Sequence, residues 1–153
     1  MARKERIYSA NATGVTVTTV SGDNTFVLLG GGNQYVIHEI RVWQTGTTTL
    51  TMEEIIIERG IGAAIGNGTG VTEYENDVDD NVQNTMYVWG TTSVEPTPIT
   101  FEIRGGWNML QEWVWLPTPD IQLFCQGTDD IGISFESTTA HTNVGCQITW
   151  QEF

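Results

Sequence analysis

The chain has 153 residues, of which 39% are apolar and 16% charged, and a formal net charge of −13. One domain is expected at this length, since domains commonly run to ~100–150 residues and bury roughly two thirds of their unfolded surface. The charge excludes a surface that gathers nucleic-acid phosphate or anionic lipid headgroups, and it points to a protein as the partner.

Positive charge is concentrated at the start, where Arg3, Lys4 and Arg6 stand; only Arg41, Arg59 and Arg104 follow. This pattern divides the chain into a short basic N-terminal arm over residues 1–13 and a single acidic domain over 14–153. No stretch reaches the ~20 apolar residues of a membrane span, and polar residues from Ser9 to Thr13 interrupt any secretory h-region. A reducing compartment is therefore expected, with Cys125 and Cys146 as buried thiols and the sequons at Asn11 and Asn67 as chance matches.

Alternation of period two recurs along the chain, and no capped amphipathic helical stripe interrupts it. Thr13–Val20 and Phe26–Leu29 read as a hairpin across Ser21–Asn24. Tyr35–Trp43 follows, with Val36, His38, Ile40 and Val42 as its core face. Thr48–Glu58 is the next strand, and the continuous Ile55–Ile57 within it implies burial on both faces. A long Gly-rich and acidic interruption spans 60–84; after it come short strands over Met86–Thr91, Ile99–Arg104, Trp113–Leu116, Ile121–Cys125, Ile131–Glu136 and Val144–Phe153. Eight or nine strands with this punctuation predict an all-β, antiparallel sandwich, with the jelly roll as its expected arrangement.

Chemistry is thinly represented. The histidines are His38, read as a hydrogen-bonded structural residue within its strand, and His141, read as solvated in a polar turn. Two thiols twenty-one positions apart make no zinc site. Gly60–Gly66 has its third glycine misplaced for a dinucleotide fingerprint, and no βαβ pattern surrounds it. Asp77–Asn81 alternates oxygens as a calcium loop does, but Val82 and Val88 occupy the positions of the turn glycine and the bidentate Glu; a looser calcium site and a solvated acidic loop both stay open. Adjacent carboxylates such as Glu53 and Glu54 face opposite ways on a strand. No enzymatic activity and no cofactor are expected.

Trp107, Trp113 and Trp115 form the sharpest remaining feature, and Trp113 and Trp115 share one strand face. They serve either as core and interface anchors, the preferred reading, or as a platform for sugar rings in a carbohydrate-binding or host-attachment module.

Taken with the basic arm, the Thr/Gly-rich strands, the Trp-Leu-Pro-Thr-Pro-Asp segment at Trp115–Asp120 and the ending Trp150–Phe153, the chain resembles the small auxiliary capsid proteins of tailed bacteriophages, the decoration or cement proteins. The resemblance implies a non-enzymatic β-sandwich, made in the host cytoplasm, that sits as a homotrimer on the outer capsid surface of the virion and clamps major capsid protein subunits. It also implies attachment through an N-terminal arm, here Ala2–Thr13. Arg3, Lys4 and Arg6 would pair with acidic groups of the partner while Ile7 and Tyr8 enter an apolar site, with no contact to nucleic acid or membrane.

Overall fold

The computed structural model describes residues 6–17, 24–46, 51–62, 68–75, 84–88, 97–136 and 140–153. These residues form two antiparallel sheets packed face to face as a β-sandwich. The strands are β1 (Arg6–Val17), β2 (Asn24–Leu29), β3 (Tyr35–Gln44), β4 (Met52–Ile61), β5 (Thr69–Gly70), β6 (Glu73–Glu75), β7 (Thr85–Val88), β8 (Thr97–Asn108), β9 (Trp113–Trp115), β10 (Leu123–Cys125), β11 (Asp129–Glu136) and β12 (His141–Glu152). A 3-10 turn at Pro119–Ile121 separates β9 from β10.

Sheet 1 has the order β10-β3-β12-β1-β6, with β9 also on β3; sheet 2 has the order β5-β7-β2-β11-β4-β8. Apart from the pairing of β6 with β1, the first half of the chain pairs with the second half. Arg6 faces Glu152, Leu28 faces Ile131, Ile37 faces Leu123 and Ile57 faces Ile103, so the partner numbers add to nearly one constant across four strand pairs. The molecule is thus one long hairpin ribbon rolled so that successive stretches fall in alternate sheets, and its midpoint lies between β6 and β7.

Alternation fills the core from both sides. Tyr8, Ala10 and Ala12 of β1 lie level with Trp150, Ile148 and Cys146 of β12, while Ile55, Ile57, Ile131 and Ile133 face them from sheet 2, all buried. Ile56 is buried as well, so the Ile55–Ile57 run is covered on both faces as its continuity implied.

The structure revises four sequence expectations. The strand that was expected to start near Thr13 starts at Arg6, so the division between an arm over 1–13 and a domain over 14–153 does not hold for residues 6–13. They sit inside sheet 1 between β12 and β6, because the alternating Tyr8, Ala10 and Ala12 supply an inward face. β1 and β2 form no hairpin with each other, since they belong to different sheets. On β3 the inward residues are Tyr35 and Ile37, then Ile40 and Val42, because a register shift opposite Thr149 and Trp150 leaves His38 as an extra residue; such a bulge flips the pattern of everything beyond it. Finally, the interruption over 60–84 contributes strands β5 and β6, which extend the two sheets.

Close contacts require glycine at Gly30, Gly127 and Gly145. A Cβ on Gly30 would stand 2.6 Å from the carbonyl oxygens of Gly127 and Asp129, and one on Gly145 would enter the ring of Trp43 on the outer face of sheet 1.

Candidate docking surface

The groups that sequence reading weighed for chemistry are committed to holding the sandwich together. His38 shares a 3.0 Å hydrogen bond with the Gln151 side chain. His141, expected in a solvated turn, begins β12 and lies 2.8 Å from the buried carboxylate of Glu53 on β4, so this pair straps sheet 1 to sheet 2. Glu54, next in sequence, faces the other way and pairs with Arg104 at 3.2 Å.

At the opposite end of the sandwich the buried Glu152 accepts hydrogen bonds from the Asn84 amide (2.9 Å), Trp150 Nε1 (3.1 Å) and Asn33 Nδ2 (3.3 Å). Asn84 Oδ1 in turn accepts from the Gly31 amide, and Asp130 Oδ1 from that of Gly30. These carboxylates thereby satisfy the donors of tight loops, as buried polar groups must. Among the described residues, no group of three or more His, Cys, Asp or Glu side chains is arranged to hold a metal. Asp77–Asn81, the segment considered for calcium, lies outside them, while the nearby Glu73 and Glu75 belong to β6.

Cys125 and Cys146 are buried free thiols. Desolvation pushes the Cys125 thiol up to about 12 and raises that of Cys146 further. Burial likewise raises the Tyr35 phenol, which donates a 2.7 Å hydrogen bond to the Asp129 carbonyl.

Of the residues assigned to an arm, Arg3 and Lys4 lie outside the described residues. Arg6 is exposed at the start of β1, Ile7 is half-buried, and Tyr8 is 1% exposed with its ring 5.9 Å from that of Trp150. Tyr8 is therefore a core residue and offers nothing to a partner. Trp107 is also buried, its Nε1 donating to the Gln111 carbonyl at 2.8 Å. Trp113 and Trp115 lie level with the buried Val42 and Ile40, pack against the core and are only partly exposed. They form no open platform for a sugar ring.

The inward turn of these indoles sends their neighbours outward. Val114 is exposed between them, and Phe124 is 60% exposed between the buried Leu123 and Cys125. The connecting segment adds Leu116 at 64% and Ile121 at 60%, and Phe153 stacks on Phe124 with ring centres 6.4 Å apart. The free edge of sheet 1, β9 and β10, thus carries an apolar strip that the sequence reading missed. Its signal was present in the Trp-Val-Trp and Leu-Phe-Cys triplets, where an inward outer pair forces the central residue into solvent.

No family model, curated protein or solved structure matches this chain. Among the described residues, no helix is long and apolar enough to cross a membrane.

Proposed function

We propose that this protein is a structural component of a phage virion, a decoration or cement protein that attaches to the outer capsid surface by binding the major capsid protein. The observation that carries the reading is the commitment of its polar groups to architecture. His38, His141, Glu53, Asn84 and Glu152 join strands and loops to one another, in a molecule of net charge −13. A nucleophile or general base needs a partner directed at a substrate, and these side chains are directed at the fold.

The strand order supports the same reading. Pairing β1 with β12, β2 with β11, β3 with β10 and β4 with β8 is compatible with a jelly roll, an arrangement that recurs among capsid proteins. The strong acidity keeps copies dispersed until a specific site captures them. Arg3, Lys4 and Arg6 then steer the encounter with an acidic groove on the capsid, while the folded body supplies the hold.

The test uses capsids of the phage that carries this chain, stripped of their own decoration protein. Cosedimentation and imaging should find the protein at symmetric positions on the outer surface, unaffected by added sugars. Replacing Arg3, Lys4 and Arg6 by Ala should slow association and flatten its salt dependence without changing the final occupancy greatly. Failure to bind those capsids, with binding to immobilised glycans instead, would replace this reading by the host-attachment one.

A further inference from the structure

The outer face of sheet 1 holds polar side chains of a different kind from those that strap the sandwich together. Tyr8, Ala10 and Ala12 are buried inward, as are Val144, Cys146, Ile148 and Trp150, so Ser9 and Asn11 of β1 and Gln147 and Thr149 of β12 point outward. Register sets Asn11 level with Gln147 and Ser9 level with Thr149. All four keep exposed surface, and none of these side chains bonds to another described side chain. Charge is missing here too. The chain has 19 acidic residues, yet none stands on an outward position of β1 from Ile7 to Asn11 or of β12 from Gly145 to Gln151. Glu39, at the border of this field, is closed on Arg41 at 2.8 Å.

Aromatic rings stand at both ends of the field. At one end Trp43 lies opposite Gly145, where a Cβ would enter its ring, so the half-buried indole rests against β12 and turns its remaining surface to solvent. At the other, Tyr74 is level with Ser9 and 63% exposed. The two rings are three strand spacings apart across the sheet and four residues apart along it, a diagonal of roughly 20 Å at ~4.8 Å per strand and ~3.4 Å per residue.

We propose that this face binds a neutral oligosaccharide laid obliquely across β12 and β1, with one sugar ring on Trp43 and another on Tyr74. Side-chain amides and hydroxyls both donate and accept, as sugar hydroxyls require, and the aromatic rings cover the apolar C–H faces of pyranoses. A protein partner fits poorly, because the core of an interface is apolar and this field is polar at its centre. A net charge of −13 repels nucleic acid and sialylated or sulfated glycans. The inference goes beyond capsid attachment and does not rest on it.

Titration of the full-length chain, followed by amide and indole NMR signals, supplies the test. The probes are cellotetraose, maltotetraose and N-acetylchitotetraose, with sialyllactose as the anionic control. At least one neutral probe should saturably shift the side-chain amides of Asn11 and Gln147 and the indole N–H of Trp43, while that of the buried Trp107 stays in place. Sialyllactose should shift none of them. Tyr74→Ala and Gln147→Ala should each weaken binding about tenfold, whereas Leu116→Ser on the β9–β10 edge should leave it unaltered. Trp43→Ala should abolish binding and Trp43→Tyr should restore part of it; circular dichroism establishes that each variant is folded. Tyr74→Ala and Gln147→Ala should also bind stripped capsids as the unaltered chain does, so this inference and the capsid reading fail separately. No saturable shift with any neutral probe, shifts confined to other residues, an equal response to sialyllactose, or loss of capsid binding in both variants would each overturn the proposal.

Discussion

Strand β1 begins at a cluster of cations yet occupies the interior of sheet 1, whereas the β9–β10 edge carries two tryptophans yet presents its aliphatic residues to solvent. In both regions the conspicuous residues mislead and the alternation beneath them decides. The charge of Arg6 stays at the strand end, where water reaches it, and does nothing to stop Tyr8, Ala10 and Ala12 from burying. The indoles of Trp113 and Trp115 are the most valuable groups to desolvate on their segment, so they turn inward and Val114 takes the exposed position.

Deletion separates the two regions most sharply. Removing residues 6–13 should abolish the cooperative thermal transition, because sheet 1 loses an interior strand and Trp150 loses the neighbour that covers it. Removing only residues 2–5 should leave the melting temperature within a few degrees. A truncated chain lacking 6–13 that still melted cooperatively would show that β1 is dispensable and that the arm reading of those residues was right.

Point substitution gives a graded version. Trp150→Ala should cost about 4 kcal/mol in a denaturant titration, the usual range for emptying a buried indole site. Phe124→Ala should change stability by less than about 0.5 kcal/mol, since its ring is mostly in water in the single chain. A large loss at Phe124 would mean that the edge is structural.

A smaller effect concerns alkaline pH. Burial raises the Cys125 thiol from 9.0 to about 12, so the folded state favours its neutral form. That contribution is fully present below the unfolded value near 9 and is lost as pH climbs towards 12. Thermal midpoints should therefore fall through this window, and less steeply in Cys125→Ala. At pH 8 neither thiol should react readily with a disulfide reagent; fast labelling of the native protein would contradict the burial of both.

Much of the fold was legible in the sequence because a half-buried strand writes its environment every second residue. The all-β class, the sandwich and the doubly buried Ile55–Ile57 were all readable in this way. The bulge at His38 was not, because a single extra residue depends on what the facing strand does. The His141–Glu53 strap was hidden for a related reason: its partners stand far apart in sequence and meet only once two sheets have formed. The apolar β9–β10 edge lay between these extremes, visible as a pattern but obscured by the habit of assigning exposed function to tryptophan rather than to its neighbours.

The pairing of each early residue with a late one also has a consequence for synthesis. As the chain leaves the ribosome, β1 lacks its main neighbour until β12 has been made more than a hundred residues later. Tyr8 and the strand around it have only the three residues of β6 to pair with until β12 has been made, so closure of the sandwich is governed by long-range contacts. Until then the molecule's most exposed liability is the strand that will end up among its best protected.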